Sequence, residues 1–539
     1  MSLVWINVFQ NKDIGFSRWI NMGYLKAAVN KIPNVNCEVN FYKLDEIDHA
    51  VHEAVKSNPQ IIGLTLLQYN YQEVIDFSIR LKDALPSVHI TMGNVFASTY
   101  PLYLLKKYLS IDSIVVGEGE FTFADLCTCV INGIPLNNCK GIYYRDELGI
   151  HKTDKRKLHD NLDDYEFPDR NLRNEKSSFY SVIGSRGCYG NCTFCDINTI
   201  FKGKVRIRSI SNILDEIESL TQSWNAKYIQ FYDSTFCINR KDAFIRLEEF
   251  YLGLIERKLN INFSLSLRAE MIDEKVINIL LSLKDLGLDS LFFGFEAGNN
   301  EDLDLYGKPS KVQDNLEALR ILRNNKILSD DYDISIECGF INYNPYSKFE
   351  NIKANLEFLR DSGLFVTMKI VNTRFLNYGN GALSKKIEKD GLLLSLPGEP
   401  IIDPLAYKFV EPKIQTLYEI GLINEERFNQ LDMIYPQDWI SVYRRWKKFH
   451  PEDADKYTSV FILFIKTQYI ISQFIVDMML DILERVENDC SINDLLKEYD
   501  EIISDKVELL RGDCNKFREV YKRLNVDLYK KNELLYRNF

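Results

Sequence analysis

The chain has little that would place it in a membrane or on nucleic acid. Its N-terminus carries no basic region ahead of an apolar run, so no signal peptide is expected. Its most apolar stretch, Tyr457–Leu480, is interrupted by Lys466 and Gln468, which favours a buried helix over a membrane span. Sixty-six basic and 77 acidic residues give a net charge of -11, which argues against binding to bare nucleic acid or an anionic membrane. We therefore expect a cytoplasmic protein.

Internal repeats and low-complexity tracts are also missing from the sequence. The 539 residues exceed one ordinary domain, and 46% hydrophobic with 27% charged residues are typical of a globular protein. Eight of the eleven cysteines are scattered, and we expect them to be small buried hydrophobic residues. The other three, Cys188, Cys192 and Cys195, lie within eight residues of one another and need a separate explanation.

Residues 1–140 alternate between apolar runs of strand length and amphipathic segments of helix length. The runs LVWINVF, CEVNFYKL, QIIGLTLL, HITMG and SIVVGEGE are predicted strands. Strands separated by helices predict an α/β fold with a doubly wound, Rossmann-like parallel sheet. Ligands of such sheets bind beyond the carboxyl ends of the strands, so the turns that follow these strands are the expected contacts.

Three further regions follow this domain. Residues 141–177 are charged and read as a solvated linker. Residues 178–395 contain six predicted β/α units, the last strand being Phe365–Phe375, and predict a central partial, TIM-like (β/α)6 barrel. Residues 396–539 lose the strand pattern and are expected to form a mostly helical C-terminal domain.

The three clustered cysteines have the spacing C-x3-C-x2-C, behind a glycine-rich turn. Ordinary buried cysteines are one explanation. A structural zinc site is a second, but zinc prefers four protein ligands, and His159 and Cys237 do not have the spacing to complete one. Three thiolates instead match a [4Fe–4S] cluster that keeps its fourth iron open for a substrate or cofactor.

The motif Cys188-x3-Cys192-x-Phe194-Cys195, with the β/α pattern over about 178–390, resembles the radical SAM superfamily. The resemblance implies a partial (β/α)6 barrel in which the three cysteines hold a [4Fe–4S] cluster and the open iron chelates S-adenosylmethionine (SAM). Reductive cleavage of SAM then gives a 5′-deoxyadenosyl radical that abstracts hydrogen. Phe194 is expected to shield the cluster or to pack on the bound adenine.

Other strand ends resemble the SAM-binding motifs of that superfamily. The segments FYDSTF, SLRAEMID and GFEAGN place Asp233, Arg268 and Glu296 at the ends of successive predicted strands, and YGKP resembles the lysine-containing turn that follows. The segment GFINYNP departs from the family's glycine-rich loop at Asn342 and Asn344. The alternative for each single residue is a solvated charge at a strand end.

The N-terminal region resembles the cobalamin-binding domain of cobalamin-dependent radical SAM enzymes. The resemblance rests on the turns GLTLLQYN, ITMGNVFAS and DSIVVGEGEFTFADL, although Asn94 replaces a glycine of the second turn. Glycines at such turns let the backbone approach a flat ring or a nucleotide tail. The residues carried over as cobalamin contacts are Thr65, Leu67, Gly93, Gly117, Glu118 and Gly119.

One motif of that domain is missing. The family's histidine that ligates cobalt follows the first strand, but the loop here reads FQNKDIGF, and His49 and His52 fall in a predicted helix where surface positions are expected. Many relatives in this subfamily also lack the motif, so cobalamin remains the expected third cofactor. A domain that has kept the fold and lost the ligand is the alternative.

The expected activity is methylation of an unactivated carbon of a natural product or peptide, with one SAM methylating cobalamin and a second supplying the radical. The alternatives are a non-methylating rearrangement, oxidation or cyclisation, and a redox or binding protein with a structural cluster. An external reductant such as flavodoxin or ferredoxin is the expected partner, and nucleic acid is not. The C-terminal aromatics Trp439, Tyr443, Trp446 and Phe449 are expected in a core, and we expect no second cluster.

Overall fold

The structure, a computed structural model, describes most of the chain. The described residues are 2–10, 19–172, 178–201, 203–328, 334–396, 398–429, 440, 442–444, 446–447, 450, 452 and 454–530. The segment FQNKDIGF lies largely outside them, as do Trp439 and Phe449.

The N-terminal domain is built on a seven-stranded sheet with the order β2-β1-β3-β4-β5-β6-β7. Its first five strands are parallel, as the alternating pattern predicts. The strands are β1 (Ser2–Gln10), β2 (Val35–Lys43), β3 (Ile61–Thr65), β4 (His89–Gly93), β5 (Ser113–Val115), β6 (Ile142–Asp146) and β7 (Gly149–Lys152).

Helices cover both faces of this sheet. As a result, β1 buries side chains on both of its sides. Trp5 and Phe9 join the core on one face, while Val4, Ile6 and Val8 join the core on the other. The doubly wound arrangement is therefore confirmed. The helices are α1 (Ile20–Val29), α2 (Ile47–Ser57), α3 (Tyr71–Ala84), α4 (Val95–Thr99), α5 (Pro101–Lys107) and α6 (Glu120–Ile131).

The prediction of a linker over residues 141–177 is wrong for its first part. The strands β6 and β7 form an antiparallel hairpin there, and β6 pairs antiparallel with β5. Ile142 and Tyr144 alternate into the core, but the charged residues that flank them hide this short period. The hairpin therefore belongs to the N-terminal sheet.

The central domain holds a five-stranded parallel sheet with the order β14-β13-β12-β11-β8 and a separate two-stranded pair, β9 and β10. The strands are β8 (Phe179–Val182), β9 (Ser185–Arg186), β10 (Arg206–Ile207), β11 (Tyr228–Phe231), β12 (Asn262–Leu267), β13 (Leu288–Glu296) and β14 (Ser335–Phe340). The helices are α7 (Asp196–Phe201), α8 (Ile210–Trp224), α9 (Arg240–Glu256), α10 (Glu274–Asp285), α11 (Asn300–Leu305), α12 (Val312–Asn324), α13 (Phe349–Asp361), α14 (Met368–Val371) and α15 (Ala382–Lys389).

The partial barrel is confirmed, but its sixth predicted strand is wrong. Within Phe365–Phe375 the chain forms the short helix α14, which Thr367 caps by accepting a hydrogen bond from the amide of Ile370. The sixth position is reduced to one parallel bridge between Tyr343 and Arg374. A local cap therefore outweighs the strand propensity of this apolar run.

The C-terminal region is helical, as predicted, and shares the core of the barrel. Its helices are α16 (Pro412–Asn429), α17 (Ala454–Glu487) and α18 (Ile492–Lys530). Leu417, Ile475 and Met479 belong to the same hydrophobic cluster as Leu291 and Phe293 of β13. The region is therefore part of the fold rather than a detachable cap.

One described helical segment, Lys456–Glu487, is long and apolar enough to cross a bilayer, but half of its most apolar window is buried within the protein. This is the burial of a core helix, as the interrupted apolar stretch predicts. Tyr443 and Trp446 are also buried, in a cluster with Phe461 of α17, so two of the four C-terminal aromatics are confirmed as core residues.

Candidate functional site

The three clustered cysteines lie on the loop between β9 and α7. Cys192 is buried, while Cys188 and Cys195 are partly exposed. The amide of Gly190 donates to Sγ of Cys188 at 3.4 Å, and a Cβ at Gly190 would lie 2.5 Å from Nη1 of Arg268. Glycine at 190 therefore lets the loop pass close to this guanidinium while its amide faces sulfur.

The thiols lie within electrostatic reach of one another. Burial raises the pKa of Cys195 to about 11, and the neighbouring Cys192 and Cys188 add to the shift. Burial also raises the pKa of Cys192, whereas Lys308 and Arg268 lower it. The loop thus gathers three thiols beside two cations that would stabilise them as thiolates.

This donor set fits a [4Fe–4S] cluster better than a single metal ion. No group of three or more His, Cys, Asp or Glu side chains in the described ranges is placed to share one ion. A cluster takes each thiolate on a different iron, and amides that face sulfur support it. If the three thiolates held such a cluster, its fourth iron would be open to a further ligand.

Arg268 follows β12 and is tied to two neighbours. Its Nε donates to Oε1 of Glu270 at 2.5 Å, and its guanidinium lies 4.9 Å from the ring centre of Tyr189. Nη2 of Arg268 and Oε2 of Glu270 are buried with no partner among the described residues. A buried donor and a buried acceptor therefore remain available to a polar ligand.

Glu296 ends β13 in a strained conformation beside Lys308. Its φ is +67°, and the pairing with β14 shifts register between Gly294 and Glu296. Oε1 of Glu296 lies 3.6 Å from Nζ of Lys308, which also donates to the carbonyl of Gly294 at 2.9 Å. The predicted residues Arg268 and Glu296 thus stand on adjacent strands, each linked to Cys192 through charge.

Asp233, a predicted cofactor contact, follows β11 and binds the backbone that leads into the cysteine loop. Its Oδ1 accepts the amides of Gly184 and Ser185 at 2.7 and 3.0 Å, and Oδ2 is buried without a partner in the described part of the chain. Burial raises the pKa of Asp233 to about 7 despite these two donors. The carboxyl group fixes the backbone that leads into the cysteine loop.

Phe194 belongs to the cysteine loop and is partly buried. Its ring meets Tyr306 edge to face, with centroids 5.5 Å apart. Asn344 donates to the Tyr306 hydroxyl and to Asp302, and Asn342 donates to the carbonyl of Val371. The two asparagines that depart from the family's glycine-rich loop are thus buried structural hydrogen-bond donors.

A cavity of about 1420 Å³ separates the N-terminal domain from the barrel. Its walls are the loops beyond the carboxyl ends of β3, β4 and β5 on one side and residues such as Ile200, Tyr232 and Ser234 on the other. All six predicted cobalamin contacts line the cavity: Thr65, Leu67, Gly93, Gly117, Glu118 and Gly119. The three clustered cysteines, Arg268 and Glu296 do not line it.

The glycines of this cavity fit a bulky ligand. A Cβ at Gly93 or Gly117 would meet nothing within 4 Å, and Gly117 has a φ of +84°. The turn after β5 is therefore open toward the cavity, with backbone accessible to a nucleotide tail or a ring edge. Cobalamin is large, and the amide groups around its ring can bond to exposed backbone, so the open backbone and the cavity volume suit it.

Sequence reasoning missed the ion-pair network around Glu118. The carboxylate pairs with Arg186 of β9 at 3.0 Å and with Arg206 of β10, and accepts the hydroxyl of Tyr165 at 3.1 Å. Arg186 also pairs with Glu120 at 2.6 Å. Burial alone would raise the pKa of Glu118, but the two arginines hold it below its usual value. Glu118, which is expected to contact the cofactor, thus also joins the two domains. Its partner Arg186 lies two residues before Cys188.

A second connection is the strap that follows the barrel, which comprises the described residues 377–396 and 398–401. The amide of Leu383 donates to the carbonyl of Thr193, within the cluster loop, at 3.0 Å. Asn380 donates to Oγ1 of Thr99 at 2.7 Å, and Gln68 donates to the carbonyl of Ile401 at 2.8 Å. The strap therefore contacts the cysteine loop and the N-terminal domain together.

Two family profiles match the chain. That of the radical SAM superfamily covers residues 182–352, and that of the B12 binding domain covers residues 15–127. The first range contains the cysteine loop, and the second contains all six predicted cobalamin contacts, at or after the ends of β3, β4 and β5.

Curated relatives cover much of this region at low identity. The uncharacterized methyltransferase PH0819 of Pyrococcus horikoshii is 25% identical over 311 residues, which are 57% of this chain and 65% of that protein. The 4'-phospho-dehydrooxetanocin synthase of Priestia megaterium is 26% identical over 416 residues, 72% of this chain and 54% of that protein. The hopanoid C-3 methylase of Methylococcus capsulatus is 23% identical over 330 residues, 57% of this chain and 61% of that protein. The chain thus spans between about half and two thirds of the length of these relatives.

Solved structures share the fold. The cobalamin-dependent S-adenosylmethionine radical enzyme OxsB, with aqua-cobalamin and S-adenosylmethionine bound, superposes with a TM-score of 0.68 at 19% identity, over 98% of this chain and 84% of that one. The radical S-adenosylmethionine methyltransferase TsrM from Kitasatospora setae superposes with a TM-score of 0.59 at 16% identity, over 76% of this chain and 81% of that one. At these identities the likeness is one of fold, and it extends over both domains and the helical region.

Proposed function

We propose that the chain is a cobalamin-dependent radical SAM enzyme that methylates an unactivated carbon of a small molecule or peptide. The profile of the radical SAM superfamily over residues 182–352 and that of the B12 binding domain over residues 15–127 support this. Its cofactors are a [4Fe–4S] cluster, SAM and cobalamin. When bound, the cluster supplies the electron that cleaves SAM, and cobalamin carries the methyl group.

The observation that supports this proposal is the shared cavity. The strand-end loops of the N-terminal sheet line one wall, and the loop from Ser185 to Gly187, which leads into the cysteines, lines the other. Cobalamin at the first wall would carry the methyl group, and the cluster with SAM behind the second wall would supply the radical. Both must reach the same substrate carbon. A common cavity between two sheets, each presenting its carboxyl strand ends, provides that arrangement.

The residues near the cysteines have separate tasks in this proposal. Arg268 and Lys308 stabilise the thiolate of Cys192, and the buried donor of Arg268 is available to the SAM carboxylate. Glu296, held by Lys308 at the end of β13, offers acceptors to the amino group or ribose hydroxyls. Asp233 fixes the approach of the loop, and Phe194 packs against Tyr306 beside it.

We place the enzyme in a reducing, cytoplasmic compartment, where free cysteines persist. Its cluster would take its electron from an external reductant such as flavodoxin or ferredoxin. A small-molecule or peptide substrate enters the shared cavity, and nucleic acid is not a partner.

The first experiment needs no substrate. Anaerobically reconstituted protein is incubated with reduced cobalamin and SAM carrying a labelled methyl group, and label on cobalamin is counted together with S-adenosylhomocysteine. A second incubation with dithionite and SAM alone measures 5′-deoxyadenosine. Both products are expected. Methyl transfer to cobalamin without 5′-deoxyadenosine would contradict radical chemistry. The absence of both products would contradict the whole proposal.

Some relatives are named for other reactions, and they support a second candidate function. They are the 4'-phospho-dehydrooxetanocin synthase and the anaerobic magnesium-protoporphyrin IX monomethyl ester cyclase of Synechocystis. In that case the same cavity and cysteine loop would serve a rearrangement, oxidation or cyclisation of the substrate. The same pair of incubations separates the two, since 5′-deoxyadenosine without labelled cobalamin favours the second candidate.

A further inference from the structure

Three consecutive residues of the strap, Gly379, Asn380 and Gly381, stand between the two domains. Gly379 has a φ of +87°, and a Cβ on it would lie 2.2 Å from the hydroxyl oxygen of Tyr100 in the N-terminal domain. A Cβ on Gly381 would lie 2.2 Å from the carbonyl oxygen of Thr193, within the cysteine loop. Glycine is therefore needed on both sides of Asn380, because the strap backbone touches both domains within three residues.

Asn380 itself binds the N-terminal domain at the end of α4. Its Nδ2 donates to Oγ1 of Thr99 at 2.7 Å, and Thr99 donates to the carbonyl of Val95, at the start of the same helix, at 2.7 Å. Asn380 also lines the cavity between the domains. A displacement of α4 therefore either moves the strap or breaks the hydrogen bond between Asn380 and Thr99.

The helix α4 is in turn fixed to two of the turns that are predicted to contact cobalamin. It begins directly after Gly93 and Asn94, and the side chain of Asn94, which has a φ of +84°, accepts the amide of Val95 at 2.7 Å. Oγ of Ser98 accepts the amide of Gly117, in the turn after β5, at 3.2 Å. A ligand that fills the open space at Gly93 and Gly117 would therefore restrict α4 through both turns.

The other end of this connection reaches the cysteines. The carbonyl of Thr193, the residue after Cys192, accepts the amide of Leu383 from the strap at 3.0 Å. The amide of Thr193 donates to the carbonyl of Tyr306 at 2.8 Å, and its hydroxyl donates to the carbonyl of Leu305 at 2.6 Å. Thr193 is thus held between the strap and the barrel, so a shift of the strap changes the position of Cys192.

We propose that Asn380 is a positioning residue that couples the two cofactor sites, so that cobalamin in the cavity raises the affinity of the cluster site for SAM. The proposal rests on the cofactors of the proposed function. A ligand that fixes α4 also fixes the strap and Thr193, and the second ligand then meets a loop that is already ordered. Because coupling between binding sites is reciprocal, SAM raises the affinity for cobalamin by the same factor. One neutral hydrogen bond carries the link to α4, so we expect a factor of about five, the lower end of such couplings.

The test measures SAM binding with and without cobalamin and needs no substrate. Reconstituted protein is kept anaerobic and without reductant, so that SAM is not cleaved, and the Kd of labelled SAM is measured by equilibrium dialysis in the absence and presence of hydroxocobalamin. The ratio of the two constants is expected to be about five in wild type. Asn380→Ala and Thr99→Val each remove one partner of the hydrogen bond and should lower the ratio to about one, whereas Thr99→Ser keeps the hydroxyl and should keep the ratio.

Asn325→Ala is the matched control. Asn325 is also a partly buried asparagine whose Nδ2 donates a hydrogen bond, to the carbonyl of Ile321 at 2.9 Å, but it lies at the end of α12 and does not line the cavity. Its ratio should equal that of wild type. A purely structural role of Asn380 would weaken SAM binding equally with and without cobalamin and leave the ratio unchanged, so the ratio isolates the coupling.

Two results would overturn the proposal. One is a wild-type ratio of about one, which would mean that the two sites bind independently. The other is a wild-type ratio that persists in Asn380→Ala and Thr99→Val, which would place the coupling outside this hydrogen bond. If one of these variants does not retain the cluster, the other decides. A wild-type protein that binds SAM but no hydroxocobalamin contradicts the proposed function as well, whereas independent binding of both leaves the proposed function standing, so the two failures are distinguishable.

Discussion

Removing the charge of Glu118 should loosen the contact between the two domains. The substitution Glu118→Gln leaves the side chain's size but takes the anion from between Arg186 and Arg206, and Glu118 is 12% exposed. Removing one partner of a buried pair costs about 3–5 kcal/mol. We expect the lower end, about 3 kcal/mol, because the amide oxygen still accepts one hydrogen bond and Arg186 keeps Glu120.

Anaerobic urea unfolding of the apoprotein measures this loss, with Asp125→Asn as the control. Asp125 pairs with Arg156 but is 54% exposed, so its substitution should cost less than about 1 kcal/mol. Separation of the unfolding curve into two transitions would show directly that the domains have uncoupled. Equal losses in the two variants would refute the reasoning, since they would mean that the Glu118 network contributes no more than a surface pair.

Three other outcomes can be checked on purified protein. Cys192→Ala should abolish both the absorbance of the reconstituted cluster and 5′-deoxyadenosine production, while Cys490→Ala, at an exposed position, should change neither. Gly117→Val should lower cobalamin retention about tenfold or more, whereas Gly133→Val, with a similar positive φ and open surroundings away from the cavity, should strain the backbone equally and leave retention intact. Burial lowers the pKa of His89 from 6.5 to about 4, so the unfolded chain binds the proton more readily and the free energy of unfolding should fall by up to about 3 kcal/mol as the pH drops through that window. His89→Gln should remove this part of the pH dependence; a slope that persists would contradict the assignment.

Local spacing carried most of what the sequence predicts correctly. The cysteine loop needs only eight residues, and the strands of the N-terminal sheet are short apolar runs bounded by turns, so both are visible without knowledge of the fold. The strand ends at Arg268 and Glu296 were placed for the same reason, because parallel strands bring their carboxyl ends to one edge.

Contacts between distant segments were not visible in the sequence. Glu118 and Arg206 are 88 residues apart, and Asn380 and Thr99 are 281 residues apart, so no local pattern signals either pair. The sequence predicts a linker at the β6–β7 hairpin because charged neighbours conceal two inward-facing side chains. It predicts a strand at Phe365–Phe375 because an apolar run does not reveal a helix cap.

The strap has a consequence for exchanging parts between relatives. An N-terminal domain transplanted from a relative would present other residues to Asn380 and Ile401 in place of Thr99 and Gln68. The same strap holds Thr193 through Leu383, so a poor fit at the transplanted surface would be transmitted to the cysteine loop. The module that can be inherited or engineered as one piece is therefore discontinuous in the chain, because it comprises the first domain together with the strap that follows the barrel.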